Sequence, residues 1–394
     1  MATLPGLYTI RIRGRLGATA LSAFPAMVPE LKGGETVLTG LLEDRSALFG
    51  VVAQIEALGL ELLELRRIQA GPTSSQRGDD RPPRSRLGPS STREKNSATE
   101  MNATTCLGDK PINRVGFGAM QLAGPGVYGP PRDPGAARAV LRRAIDLGVD
   151  HIDTSQYYGP DVVNDLIRQA LHPYPENLRL ATKVGARRDD AGRVLPAQRP
   201  QDLREGVEAN LRSLRVERLD LVNLRLVEAP RDTAVPLEDQ LSALEDMRQD
   251  GKLELIGLSN VDQATVRLAL EFVNVAGIQN GYSIVDRQDD ALVDFARERE
   301  IAFVPFAPLG SAFGGGPARL AGDPAIVRVA DKHGATPTQI ALAWLLARYD
   351  RMLLIPGTSS IRHLEENAAA IKLKLDDADL DALDLVEQRD ATPA

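Results

Sequence analysis

From residue 105 to the end of the chain, short apolar runs alternate with amphipathic segments of helix length, and few folds accommodate that rhythm. The strand candidates are GAMQLA, DHIDTS, RLATKVG, LDLVNLR, LIGLSN, GIQNGYS, AFVPFAP and LLIPGTS. Between them lie helix candidates such as PGAARAVLRRAIDLG, PDVVNDLIRQAL, PQDLREGVEANLRSL, LEDQLSALEDMRQDG, DQATVRLALEFV and DDALVDFARERE. Eight strand–helix units over residues 105–394 predict a (β/α)8 TIM barrel rather than an open doubly wound sheet. In such a barrel the chemistry sits at the C-terminal ends of the strands, so those ends are where reactive side chains are sought.

Two further zones precede the barrel. In residues 1–69, YTIRIRG alternates as a half-buried strand does, and VPELKGGETVLTGLL reads as two strands joined at Gly33-Gly34. DRSALFGVVAQIEALG reads as a helix capped by Asp44 and stopped at Gly59, LELLELRRI as a last strand, and GATALSAF as a short helical piece. The order β-α-β-β-α-β predicts a small α+β ferredoxin-like domain, with self-association or regulation as its expected role. Residues 70–104 are rich in Ser, Arg, Pro, Gly and Asp and nearly free of apolar side chains, which predicts a disordered linker. Met101, at its end, is a conceivable second start.

Composition narrows the partners. The net charge of −7 argues against nucleic acid and anionic membranes. The single cysteine, Cys106, excludes a disulfide framework and a cysteine-rich metal site and fits a reducing cytoplasm. No apolar run has a membrane helix's length, and the N-terminus lacks a signal peptide's order.

GPGVYG (124–129) has the spacing of a Rossmann dinucleotide fingerprint, but its context fails. The third glycine should open a helix whose amides face a pyrophosphate. Pro130-Pro131 follow at once, and neither carries an amide hydrogen. The strand ends are more informative. Strand two, from DHIDTS, is expected to end in Asp153, and strand three, from RLATKVG, in Lys183, two charges in runs that belong in an interior, where an unpaired charge is costly. Only 8 of the 47 basic residues are lysine, so lysine at this position goes against the bias of the chain. A structural Asp153–Lys183 ion pair is one reading. Tyr158, five residues after Asp153, supports another. An ammonium beside a phenol is expected to lower the phenol's pKa, and a carboxylate keeps the ammonium charged, so Asp153, Tyr158 and Lys183 together form a general acid for a carbonyl oxygen. The adjacent Tyr157 is expected to line the substrate entrance or to pack under the loop.

At these residues the chain resembles the aldo-keto reductases, over residues 105–390. HIDTSQYYG is similar to the family's Asp-Thr-x-x-x-Tyr-Gly motif, and LATKVG places Lys183 on the catalytic lysine. The resemblance implies an enzyme that uses NADP(H), takes a small-molecule carbonyl substrate, and protonates it from Tyr158. It implies that Ser259 and Asn260 of LIGLSN and Gln279 of GIQNGYS hold the nicotinamide carboxamide. In VPFAPLG it implies a ring, Phe306, stacked on the nicotinamide, with Pro308, Leu309 and Gly310 among the cofactor contacts. IPGTSSIRHLEEN resembles the adenosine-phosphate segment and contributes Gly357, Thr358, Ser359, Arg362, Glu366 and Asn367. Hydroxyls ahead of a helix suit an anion, Gly357 allows close approach of a phosphate, and Arg362 suits a 2′-phosphate, which favours NADP. The other reading of this segment is a helix cap at Ser359 or Ser360 with Glu366 on a solvated face.

One position departs from the pattern. The usual family has a histidine at the end of strand four; LDLVNLRL puts Arg225 there, and none of the four histidines falls in that place. An arginine stays protonated. Arg225 is expected to anchor an anionic or phenolic oxygen of the substrate or to polarise the carbonyl; the alternative is a strand-end ion pair with Glu228 or Asp220. The whole pattern most closely resembles a bacterial branch that includes pyridoxal reductase, whose substrate carries a phenolic oxygen beside the aldehyde. A non-catalytic nicotinamide-binding sensor or regulatory subunit is the alternative function, but a pure binder has no need of the acid. Phosphate-sugar chemistry lacks the paired carboxylates or metal ligands it would call for, and no metal site is expected.

Overall fold

The computed structural model describes residues 103–229, 234–310 and 316–386 and, nearer the N-terminus, 6–13, 27–32, 35–42 and 62–68 with positions 16, 21, 24, 51 and 55. The chain divides into two compact units, one formed by residues 1–99 with the terminal Ala394, the other by residues 100–393.

In the first unit β1 (Gly6–Ile12), β2 (Val28–Lys32), β3 (Glu35–Leu42) and β4 (Leu62–Ile68) form an antiparallel sheet in the order β2-β3-β1-β4. That is the strand order of a ferredoxin-like β-α-β-β-α-β chain, with the first strand central. One face is apolar: Ile10, Ile12 and Leu38 are fully buried and cluster with Phe24, Met27 and Ile55. Arg11 bridges Glu35 at 2.6 Å and Glu64 at 2.9 Å, a cross-strand charge pairing that favours this register. Leu21, Val51 and Ile55 are helical; most of the two expected helices and the Gly33-Gly34 turn lie outside the described residues. So does nearly all of the expected linker. Its end is corrected, because Thr104 already belongs to a strand.

The second unit begins with the hairpin β5 (Thr104–Leu107) and β6 (Lys110–Asn113), followed by β7 (Phe117–Gly118), β8 (His151–Asp153), β9 (Arg179–Arg188), β10 (Val194–Ala197), β11 (Leu219–Arg225), β12 (Leu253–Ser259), β13 (Val275–Gly281) and β14 (Ala302–Phe306). Strands β7-β8-β9-β11-β12-β13-β14 are parallel neighbours in that order, and β10 turns back antiparallel along the end of β9. Crossover helices cover the outside: α1 (Pro134–Asp146), α2 (Val162–Leu171), α3 (Pro200–Leu214), α4 (Leu237–Gln249), α5 (Gln263–Ala269) and α6 (Asp290–Glu298). After β14 come α7 (Gly316–Gly322), α8 (Pro324–His333), α9 (Pro337–Arg348), α10 (Ile361–Ala369) and α11 (Asp377–Asp384). Starts follow local chemistry: Asp133 accepts from the Ala136 amide at 2.9 Å with Pro134 at the first helical position, and the Thr336 side chain accepts from Gln339 in a capping box ahead of Pro337.

Two expected strands are corrected. In GAMQLA the strand ends at Gly118, and Ala119–Leu122 form a single 3-10 turn whose Ala119 and Leu122 are buried. A short apolar run does not distinguish a strand from a buried turn. LLIPGTS makes isolated bridges rather than a strand, ended by Pro356, which has no amide to donate. Those bridges nevertheless close the barrel. The Leu354 amide donates to Arg114 O and the Gly116 amide to Leu354 O, both at 2.8 Å, while the Leu353 amide donates to Phe303 O at 2.9 Å. The side chain of Arg114, fully buried, reinforces the seam by donating to the carbonyls of Leu346 and Tyr349, each at 2.6 Å. The glycine-rich segment 124–129 holds only the 3-10 turn Pro125–Val127 and no helix for a pyrophosphate.

Inside the barrel, Ala181, Leu221, Ala302, Val304, Leu353 and Ile355 pack with Leu107 and Ile112 of the hairpin as an apolar cluster. Gly118 and Gly357 cross tightly here. A Cβ on Gly118 would lie 2.4 Å from Ile355 O, and one on Gly357 would lie 2.6 Å from Gly118 O. The seam by itself therefore requires glycine at 357. Gly118→Ala is expected to destabilise the protein by about 1–3 kcal/mol through forced displacement of this seam, measured as a lower midpoint in urea unfolding.

Candidate active site

Parallel strands place the last inward side chain of each at one mouth, and there the structure brings the chemically notable residues together. Asp153 ends β8 and Lys183 lies on β9 next to it; both are buried, at 4% and 3% exposure. The Lys183 ammonium donates to Asp153 Oδ1 and, at 3.2 Å, to the carbonyl of Thr154. Asp153 Oδ2 accepts from Gln279 Nε2, from the end of β13, at 2.8 Å. A carboxylate this deep needs such partners, and these leave little of it unsatisfied.

Tyr158 sits on the loop that follows β8, 7% exposed, and its ring lies under the ammonium, with Lys183 Nζ 5.0 Å from the centroid. The expectation that Lys183 lowers the Tyr158 pKa is corrected. Burial pushes this phenol well above its ordinary value, Asp153 pushes it the same way, and Arg225 and Arg188 oppose them. The ammonium is committed to Asp153 and the Thr154 carbonyl. The phenol therefore keeps its proton at neutral pH.

Tyr157 does not turn away from the cluster. Its ring meets that of Tyr158 edge-on at 5.3 Å, and its hydroxyl is buried without a hydrogen-bond partner. Burial pushes its pKa up to about 12, against the pull of Lys183 and Arg225.

Arg225 ends β11. Its guanidinium donates to Ser259 Oγ at 3.0 Å and lies 5.1 Å from the centroid of the Phe306 ring, which ends β14. Neither expected carboxylate reaches it. Asp220 faces Arg179 at 3.5 Å and accepts from the Leu180 amide, and Glu228 makes no ion pair with it. Among the described residues Arg225 has no carboxylate partner. Sequence reasoning missed a second such cation, Arg188. It donates through Nε to Tyr157 O at 3.2 Å and through a terminal nitrogen to Gly192 O, and burial lowers its pKa. Five residues from Lys183, it should face the opposite side of a regular strand. Gly185, with φ of 96° and no room for a Cβ beside Arg225 O, interrupts the pleat between them.

The remaining expected residues form two groups. Ser259, Gln279 and Phe306 are at the mouth, and Gln279 Oε1 is buried without a partner. Asn260 is at the same rim but exposed; its side chain donates to Leu226 O at 2.8 Å, and it holds a left-handed φ of 60°, as Ala307 does at 53° just past β14. Such strained non-glycine positions at strand ends mark places where the backbone is over-determined. Pro308, Leu309 and Gly310 follow in the turn closed by Gly310 N to Ala307 O at 2.9 Å. The second group surrounds the start of α10. Thr358 is buried and its hydroxyl accepts from the Ser360 amide at 3.0 Å, Ser360 is the cap, and Ser359 is exposed. Arg362 pairs with Glu366 at 2.6 Å with most of its side chain in solvent, and Asn367 is buried.

A family model, the aldo/keto reductase family, matches residues 114–388. The chain belongs to the aldo/keto reductase family. It is 48% identical over 285 residues to pyridoxine 4-dehydrogenase of Escherichia coli, covering 71% of this chain and 97% of that one. It is 36% identical to an uncharacterised oxidoreductase of Schizosaccharomyces pombe, over 69% of this chain and 86% of that one. Among solved structures, a thermostable aldo-keto reductase crystallised with the inhibitor epalrestat superposes with a TM-score of 0.61 at 28% identity, over 71% of this chain and 98% of that one. An enzyme of Klebsiella pneumoniae solved with NADP and acetate shares the fold, with a TM-score of 0.58 at 24% identity over 70% and 92% of the two chains. A second family model, described as a domain of unknown function, matches residues 7–66.

Replacing Lys183 with Met leaves the Asp153 carboxylate buried with one amide donor. We expect a loss of about 3–5 kcal/mol at neutral pH in urea unfolding, partly recovered when Asp153→Asn is added in the same chain.

Proposed function

We propose that the barrel reduces an aldehyde to an alcohol with NADPH, and that Tyr158 protonates the carbonyl oxygen. The observation that carries this reading is the buried, protonated phenol of Tyr158 set among Lys183, Asp153, Arg225 and Arg188.

The residues present fit a nicotinamide cofactor. Gln279 is fixed through Nε2 on Asp153, so its unpartnered Oε1 is free to accept from a carboxamide. Ser259 Oγ accepts from Arg225 and keeps its own hydrogen to donate, and Phe306 offers a ring face. At α10, Thr358, Ser359 and Arg362, with Gly357, Glu366 and Asn367 around them, would hold the adenosine phosphate. The cofactor, when bound, supplies a hydride for the carbonyl carbon. Tyr158 supplies the proton for the oxygen, so the carbonyl gains one hydride and one proton and becomes a hydroxyl. Negative charge that develops on the oxygen, and then on the phenol, is stabilised by the cations Arg225 and Arg188. Asp153 holds Lys183 charged and in place. Burial of the site excludes water that would screen those charges.

The E. coli relative is named for dehydrogenation of pyridoxine at position 4. The substrate class we propose here is the corresponding aromatic aldehyde, pyridoxal or a close analogue with an oxygen beside the carbonyl. Arg225, a cation without a carboxylate partner among the described residues, would take that oxygen, and the unpartnered Tyr157 hydroxyl is a second polar contact for it.

NADPH oxidation with pyridoxal tests the acid. Tyr158→Phe should lower kcat by about 10²- to 10⁴-fold while NADPH affinity stays within about twofold. Turnover equal to the parent enzyme would rule out Tyr158 as the proton donor. Arg225→Met should raise KM for pyridoxal by about ten- to a hundredfold and that for unsubstituted benzaldehyde far less; an equal loss on both would remove the anchor role.

A further inference from the structure

Strands β8 and β9 carry the two halves of the acid assembly, yet the backbone ladder between them stops early. Its last pair is Asp153 with Ala181, followed by one bond from the Thr154 amide to Ala181 O at 2.8 Å. Beyond that point the loop 154–158 departs with Tyr157 and Tyr158, while β9 continues through Lys183. Something other than the sheet must hold the loop on the strand.

A buried side-chain network behind the site does so. Thr154, Ser155, Thr182, Asn164 of α2 and Asn210 of α3 are each 0% exposed. Thr154 Oγ1 donates to Asn164 Oδ1 at 2.8 Å, and Thr182 Oγ1 donates to Asn210 Oδ1 at 2.6 Å. Asn164 Nδ2 joins the two amides by donating to Asn210 Oδ1 at 3.0 Å. Asn210 Nδ2 donates to Gln156 Oε1 at 2.9 Å and to Gly206 O at 2.8 Å. Ser155 Oγ donates to Gln156 Oε1 at 3.1 Å. Asn210 thus uses both acceptor sites and both donor hydrogens, which fixes the direction of its amide and leaves a single satisfied arrangement. Thr154 adjoins Asp153 and gives its carbonyl to Lys183; Thr182 adjoins Lys183. Along a strand, neighbours face opposite sides, so the threonines reach the helices while the charged pair faces the barrel.

We propose that Asn164, Asn210, Thr154 and Thr182 are positioning residues for the acid: a saturated hydrogen-bond relay from α2 and α3 that sets the Tyr158 loop against Lys183. This rests on the reading of Tyr158 as proton donor. All four are fully buried behind the site, so the relay acts on proton transfer and not on binding.

The test uses the full chain. Thr182→Val is nearly isosteric and removes one hydroxyl; Thr182→Ser keeps it. Thr182→Val should lower kcat for pyridoxal by about tenfold or more. NADPH affinity, read by fluorescence quenching, should stay within twofold, the thermal midpoint should show a folded enzyme, and the solvent deuterium isotope effect on kcat should rise. Thr182→Ser should restore kcat, and in a Tyr158→Phe background Thr182→Val should cost nothing more. A folded Thr182→Val enzyme with kcat within twofold of the parent would overturn the relay, as would a loss matched by Thr182→Ser or by an equal loss of NADPH affinity. Full turnover by Tyr158→Phe alone would overturn the acid assignment instead, which keeps the two failures apart. Should Thr182→Val not fold, Thr154→Val and Thr154→Ser provide the same comparison from the other arm of the relay.

Discussion

The buried contact between Asp153 and Lys183 is the constraint on which the site depends. Each charge alone would be expensive at 4% and 3% exposure, so neither can change without the other. The pair also fixes its surroundings. Asp153 holds the Gln279 amide so that its oxygen is left buried without a partner, and Lys183 reaches over the ring of Tyr158 and back to the Thr154 carbonyl. One ion pair thus orders parts of β8, β9, β13 and the loop that bears Tyr158, and it does so at the mouth because parallel strands end together there.

The barrel beneath it was largely legible because strand and helix periods differ and alternate. The exceptions have local causes. Gly118 ends its strand where two backbones cross too closely for a side chain, and the eighth strand is cut to bridges by Pro356. Neither closeness nor a missing ladder is written in apolar spacing. Arg114 shows the same limit: its guanidinium closes the barrel seam through carbonyls, and backbone oxygens leave no signature in a sequence.

Of the candidate site, Asp153 and Lys183 could be placed from their positions at strand ends, Tyr158 from its spacing to Asp153, and Ser259, Gln279 and Phe306 from the resemblance to the family. Arg225 also stands where strand order put it, and its freedom from Asp220 and Glu228 required the structure, since Asp220 is turned to Arg179. Arg188 was hidden because Gly185 interrupts the alternation that would have pointed it away. The effect of Lys183 on the phenol was misjudged for a related reason. Proximity in sequence pattern does not say where an ammonium is spent, and here Asp153 takes it. The outcome still suits an acid, because a phenol held above its ordinary pKa is protonated when the substrate arrives.

The central claim is that Tyr158, and not its neighbour Tyr157, faces the reacting oxygen. The most direct measurement is a crystal structure with NADP and an unreactive pyridoxal analogue. The account predicts the carbonyl-equivalent oxygen within hydrogen-bond distance of Tyr158 Oη, the carboxamide on Gln279 Oε1, and the Asp153–Lys183 contact intact. An oxygen bound to Tyr157 Oη or to Arg225 alone, with Tyr158 out of reach, would contradict it.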